Sequence, residues 1–329
     1  MNAFRDSALR LDRLVGHLAA AVVLCACAHA PPVPFPSSAG VGIELDATPF
    51  FAQETHQCGP AALAAMLGST GVNATPAELV SQTYLPGRKG SLQLELIAAA
   101  RRHQRIPYVL APDAGAMFAE LDAGHPVLVL QDLGVGPLHA WHYAVVIGYE
   151  VEPQQVVLRS GTTERLVMSF ADFEPTWRKS GRWAAVILAD DALPATANAE
   201  KYVASIVPVE ALGHLGTART AYATALGRWP DNLLALFGLA NTEHQLGQLA
   251  AAEKTYERLL VLAPDNPVVL NNLAEVMLAR GCATRAEGHA QKAARLVPPG
   301  SELEAAVTDT REKATAARAA GRDAVGCDR

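Results

Sequence analysis

The chain has 329 residues, half of them hydrophobic, with 27 Lys+Arg against 33 Asp+Glu and a net charge of −6. That length suggests two domains, and the acidic balance gives no broad attraction to nucleic acid. There is no basic run with interleaved aromatics and no GxxxxGK[ST] phosphate loop; the stretch GRKGS at 87–91 has the wrong spacing. His139 and His142 stand three apart, but no second ligand cluster follows, so neither a metal nor any other cofactor is called for.

Residues 1–27 read as a bacterial secretion signal. Arg5, Arg10 and Arg13 precede an apolar run from Leu14 to Ala28, interrupted by Gly16 and His17. The run is shorter than the roughly 20 residues of a membrane-spanning helix and ends in small residues. Within it, Leu24, Cys25, Ala26 and Cys27 put leucine three residues before Cys27 and alanine just before it. This resembles the lipobox of bacterial lipoproteins. The resemblance implies that Cys27 is diacylated and anchors the chain to a membrane on the periplasmic side of the envelope. Ordinary cleavage after Ala30 competes with that reading, but Pro31 would then follow the cut. Ala28 stands where an aspartate would suggest inner-membrane retention, which points to the outer membrane. Pro31, Pro32, Pro34 and Pro36 make 28–46 a stiff linker.

Residues 47–190 mix helices and strands. Cys58, Gly59 and Pro60 open a segment with Leu63, Met66 and Leu67 at helical spacing, and proline is tolerated in a first helical turn. Cys58 thus lies at or before a helix N-terminus, where unpaired amides and the dipole favour a thiolate. Thr75, Pro76 and Glu78 start a second helix with cap, N1 proline and reciprocal glutamate. Further helices are expected at 91–103 and 113–123. Strands follow at 126–130, 142–149, 155–159 and 182–188, which makes the segment α+β with an antiparallel sheet. Alternation puts His142, Ala144, Val146 and Gly148 on one strand face, small neighbours that leave room beside the imidazole. A thiol at a helix N-terminus and an imidazole at a strand start are the parts of a cysteine nucleophile with its base.

The C-terminal third repeats. Pro230, Pro264 and Pro298 are 34 residues apart, and Gly213, Gly247 and Gly281 keep the same step. Ala218, Ala252 and Ala286 follow it, as do Tyr222, Tyr256 and Ala290. A period of 34 with this punctuation reads as three tetratricopeptide repeats over 195–300, each a helix pair. Ser301 and Glu304 form a capping-box pattern ahead of a polar helix, so 301–329 is expected to be a capping helix and tail. Once Cys25 leaves with the signal and Cys27 carries lipid, Cys58, Cys282 and Cys327 remain. In an oxidising compartment the two C-terminal ones can pair, leaving Cys58 free.

The segment FFAQETHQCGPAALAAML with WHYAVVIGYE resembles the C39-like cysteine peptidases, papain-like enzymes related to bacteriocin-processing domains, over about 47–190. The nearest likeness is to lipoproteins joining such a domain to tetratricopeptide repeats. The resemblance implies Cys58 as nucleophile, His142 as general base and Gln53 as oxyanion-hole donor acting with the Cys58 amide; Gln57 is the rival donor. It also implies an Asp or Asn near the end of the strand after the histidine strand. Here that place reads Leu158, Arg159, Ser160, Gly161, so Ser160 and Asp132 remain the candidates for orienting the ring.

The sequence therefore predicts a papain-like α+β cysteine peptidase domain followed by an all-α tetratricopeptide solenoid. Its expected partners are a peptide or protein substrate in the cleft and a protein on the repeats. Two other functions keep the same fold: a catalytically silent peptide-binding adaptor, and an acyl transferase in which an amine replaces water.

Overall fold

The computed structural model describes Phe35, residues 42–53, 57–324 and Cys327. The secretion signal, Cys27 and most of the proline linker lie outside the described residues.

A seven-stranded antiparallel sheet forms the centre of the first domain. Its strands are β1 (Gly42–Glu44), β2 (Ile106–Val109), β3 (Val127–Asp132), β4 (Trp141–Glu150), β5 (Gln155–Ser160), β6 (Thr163–Ser169) and β7 (Ala184–Leu188). They run in the order β2-β7-β3-β4-β5-β6, and β1 pairs with the C-terminal end of β4, Gly42 opposite Glu150. Strands β2, β6 and β1 were not expected from the sequence. Pro107 hides β2, which is an edge strand where a missing N–H is tolerated. β6 is largely exposed on its outer positions and has few apolar residues to signal it.

Helix α1 (Cys58–Gly68) is buried from Gly59 to Leu67. A helix apolar all round belongs inside a fold rather than on its surface. It lies between α2 (Pro76–Thr83), α3 (Gln93–Arg102) and the sheet face of Leu128, Leu130, Tyr143, Val145 and Ile147. Leu63, Met66 and Leu67 are fully buried there, contributing about 2 kcal/mol each. The reciprocal cap expected at α2 is present: the Glu78 amide donates to Thr75 Oγ1, and the Thr75 amide donates to the Glu78 carboxylate. Helices α4 (Ala114–Asp122) and α5 (Phe170–Arg178) also pack on the sheet. No helix among the described residues is long and apolar enough to cross a membrane.

Six helices follow as three pairs: α6 (Ala199–Ala211) with α7 (Leu215–Arg228), α8 (Leu233–Gln245) with α9 (Leu249–Leu262), and α10 (Pro267–Ala279) with α11 (Ala283–Leu296). Gly213, Gly247 and Gly281 turn each pair with positive φ of 80°, 71° and 79°, conformations that side chains rarely adopt. Ala218, Ala252 and Ala286 are fully buried, small enough to let neighbouring helices close. Helix α12 (Glu304–Ala319) covers the last pair. The capping box expected at its start does not form. Its N-cap is Leu303, the Ser301 hydroxyl is buried without a partner, and the Glu304 carboxylate accepts instead from the Gly300 amide at 2.6 Å. The N-cap falls at Leu303, two residues later than the pattern implied, so Ser301 is too far back to cap the helix. Cys282 and Cys327 form a disulfide, pinning the tail to the last repeat, and Cys58 is a free thiol.

Two domains meet along the segment 189–198. Glu120 on α4 is fully buried and accepts from the amides of Ala195 and Thr196 at 3.0 and 3.1 Å, and from the Thr196 hydroxyl at 3.0 Å. His125 bonds the same carboxylate at 2.9 Å. Helix α6 packs on β2, where the Asn198 amide donates to the Tyr108 hydroxyl and Lys201 sits over the Tyr108 ring.

Candidate active site

Cys58 is the first residue of α1, and no side chain caps that end. Pro60 has no N–H to offer, so the amides of Cys58 and Gly59 are what the turn leaves unpaired. Both point to the Cys58 sulfur, and the Tyr143 amide on β4 joins them. Burial nevertheless dominates and pushes the Cys58 thiol above its ordinary range. A thiolate expected from the helix terminus alone is therefore not the resting state: desolvation outweighs three amide dipoles. Gly59 is needed for the packing, because a Cβ there would stand 2.4 Å from the Ser91 hydroxyl oxygen.

His142 is the second residue of β4 and lines the same cleft of about 880 Å³ as Cys58 and Gln53. The helix that begins at Cys58 does not approach along the small-residue face of the strand. It covers the opposite face of Tyr143, Val145 and Ile147, and His142 reaches the cleft at the strand's start. Burial lowers the His142 pKa, which keeps the imidazole neutral near pH 7. Thiol and imidazole share the cleft with no direct hydrogen bond between them, so both rest uncharged.

Ser160, the last residue of β5, takes the ring: His142 Nε2 lies 2.9 Å from Ser160 Oγ. Asp132 does not reach His142. Its carboxylate is consumed by His139 Nδ1 at 2.7 Å and by the amides of Ala140 and Gly134 at 2.8 and 2.9 Å, which hold its pKa far below the usual range. His139 in turn stacks on Trp141, ring centroids 5.4 Å apart, at the cleft rim. The sequence could not choose between Ser160 and Asp132, because the choice depends on which strand neighbours β4 on each side.

Gln53 follows the lead-in strand region and is held by its own amide on the Gly161 carbonyl at 3.0 Å. Its side-chain amide donates to the Tyr143 carbonyl at 3.4 Å, a long bond that leaves the second N–H of the amide available to the cleft. Gln57 turns away and lines a separate pocket of about 460 Å³ beside Phe51 and Pro76. Among the described residues no group of three or more His, Cys, Asp or Glu side chains could hold a metal ion. The cleft walls also carry Arg88, Lys89 and Lys179, which the sequence reading did not single out.

The Peptidase_C39 like family matches residues 45–185, and the Tetratricopeptide repeat family matches residues 210–267. No curated relative matches the chain. Among solved structures, a Bacillus anthracis protein described as a C39-like peptidase is 16% identical, with 45% of this chain and 97% of that one covered and a TM-score of 0.38. The Yersinia enterocolitica type III secretion chaperone SycD, in complex with a peptide of the translocator YopD, is 18% identical over 36% of this chain and 91% of its own, with a TM-score of 0.34. The globular C-terminal domain of P. aeruginosa LpoP is 29% identical over 29% of this chain and 87% of its own, with a TM-score of 0.25. Residues 45–185 thus match the Peptidase_C39 like family, and a Tetratricopeptide repeat match follows in the same chain.

Proposed function

We propose that the chain is a cysteine peptidase that hydrolyses peptide bonds through Cys58 and His142, with the repeats recruiting a protein partner. The observation that carries this reading is the convergence of Cys58, His142 and Gln53 on one cleft from three separate segments. With His142 Nε2 committed to Ser160, Nδ1 is the ring nitrogen left to take the thiol proton. A neutral thiol and a neutral imidazole are the protonation states from which that transfer starts. The sulfur attacks the scissile carbonyl as the proton moves to His142, and the oxyanion meets the Cys58 amide and the Gln53 side-chain amide. His142 then protonates the leaving amine, and water, activated by the same imidazole, releases the acyl group from Cys58.

A second reading, a catalytically silent peptide-binding adaptor, is favoured by one observation: a serine hydroxyl orients the ring where the C39-like resemblance implies Asp or Asn. Hydroxyls hold an imidazolium less strongly than a carboxylate does. Acyl transfer to an amine uses the same first half-reaction. Incubating the protein with a peptide library separates the three. Hydrolysis yields new carboxyl termini that vanish in Cys58→Ala, transfer yields products only when an amine is added, and an adaptor yields neither while still retaining peptides.

The lipobox-like Leu24, Cys25, Ala26 and Cys27 support a location on the periplasmic side of the envelope, with Cys27 as a lipid anchor in the outer membrane. Palmitate labelling that persists in Cys25→Ser and disappears in Cys27→Ser is the expected pattern; the reverse moves the anchor by two residues.

A further inference from the structure

From the charges of the cleft we infer that the substrate is an acidic peptide segment, with Asp or Glu side chains flanking the bond presented to Cys58. This rests on the peptidase-fold cleft being a peptide site.

The chain as a whole is acidic, at −6, yet the described residues lining this cleft include Arg88, Lys89 and Lys179 and no carboxylate. Glu54 is outside the described residues. The cations stand on both walls. Arg88 and Lys89 belong to a tight turn after Pro86, closed by the Leu85 amide donating to the Gly90 carbonyl at 2.8 Å, with Lys89 at a left-handed φ of 49°. Lys179 stands beside His139 and Trp141, its ammonium held by the Gly134 carbonyl at 2.8 Å and the Asp132 carbonyl at 3.4 Å. A buried acid, Asp132, has its carboxylate hydrogen-bonded to His139 and two amides and keeps its negative charge, which Lys179 partly balances.

Elsewhere in the domain Arg165 pairs with Glu44 and Arg182 with Glu174, while Arg102, Arg105 and Arg159 are occupied by neutral oxygens. Arg88 and Lys89 are exposed and have no ion-pair partner among the described residues, whereas Lys179 is bonded to carbonyls and also lies near enough to the Asp132 carboxylate to help lower its pKa. Two unpaired positive charges at Arg88 and Lys89, with the partly balanced Lys179 on the same cleft, attract a negative chain and repel a positive one. Trp141, half exposed at the rim, offers an apolar surface beside them.

The test is peptide binding to full-length Cys58→Ala, read by fluorescence anisotropy with three matched peptides carrying Glu, Gln or Lys at the flanking positions. The Glu peptide is expected to bind about tenfold more tightly than the Gln peptide, since exposed ion pairs contribute only a few-fold each. That lead should shrink in about 1 M salt, where the Debye length is roughly 3 Å, a readout that needs no further variant. It should also shrink in Arg88→Gln/Lys89→Gln/Lys179→Gln, with the melting temperature as the folding control. Equal affinities, a preference for the Lys peptide, a lead insensitive to salt, or no binding at millimolar peptide would each overturn the inference. So would displacement of the Glu peptide by a single-stranded oligonucleotide that binds more tightly. Because binding is read without turnover, a Glu peptide that binds but is never cut by the wild-type protein sinks the hydrolase reading and leaves this one standing.

Discussion

His142 Nε2 and Ser160 Oγ lie 2.9 Å apart, joining an imidazole near the start of β4 to a hydroxyl at the end of β5. If Ser160 positions the ring, Ser160→Ala lowers kcat by about tenfold with little change in KM, a fraction of what general acid–base catalysis supplies in total. Ser160→Asp tests the role by its pH profile. A carboxylate beside the ring raises the His142 pKa, which burial now lowers, so the acid limb of kcat/KM moves to higher pH. An unmoved limb in Ser160→Asp removes Ser160 from the mechanism.

Cys58 alkylation should be slow at neutral pH. Burial raises its pKa, so the thiolate that reacts with iodoacetamide accumulates only above the roughly 8.5 of a free cysteine. The pH–rate profile of alkylation followed by intact mass measures this directly, and a midpoint near pH 6 would show a preformed ion pair instead. With both groups neutral at rest, His142→Ala leaves that profile almost unchanged while lowering peptide turnover by about 100- to 10,000-fold.

Gln53→Ala separates transition-state stabilisation from nucleophile activation. Its amide meets no charge until an oxyanion forms, so kcat falls on the order of 100- to 1,000-fold while alkylation of Cys58 is unaffected. Loss of alkylation together with turnover would mean that the substitution disturbed the cleft itself, through the Tyr143 carbonyl that Gln53 bonds.

Glu120 holds the junction between the domains. Burial raises its pKa, but hydrogen bonds from His125, the amides of Thr196 and Ala195 and the Thr196 hydroxyl outweigh it, and the net shift is downward. A depressed carboxylate stabilises the fold above its unfolded pKa and loses that contribution as pH falls through the folded value. The junction is therefore firm at neutral pH and loosens below about pH 4. Glu120→Ala leaves two amides and a hydroxyl without their acceptor, costing about 1–3 kcal/mol. Hydrogen exchange at Ala195 and Thr196 reads the effect locally; protection unchanged in the variant would exclude the carboxylate as the latch.

The Cys282–Cys327 disulfide closes a separation of 45 residues, which is worth ~2–4 kcal/mol to the end of the solenoid. Thermal unfolding with and without reductant is expected to lower the melting temperature of the repeat part first. Non-reducing intact mass after alkylation should give one modified thiol in protein lacking the secretion signal; three would mean that the bridge is absent.

Local patterns in the sequence determined much of this protein. The 34-residue step of glycine, alanine and proline specifies the repeats, because each glycine takes a left-handed turn and each alanine is fully buried in the helix stack. Cys58 with Gly59 and Pro60 specifies a helix start, and the alternation after His142 specifies a strand. These are properties of a few consecutive residues. Tertiary structure decided what depends on distant segments. Ser160 rather than Asp132 reaches His142 although β3 pairs directly beside β4, Gln131 opposite His142, because His139 and two amides hold the Asp132 carboxylate. The Cys58 thiol is neutral because the sheet and α3 bury it, a desolvation that no stretch around Cys58 reveals. The cations of the cleft were also hidden, since Arg88 and Lys179 are 91 positions apart in the chain and line one cleft with Cys58 only once the turn after Pro86 and the C-terminal end of α5 are brought together.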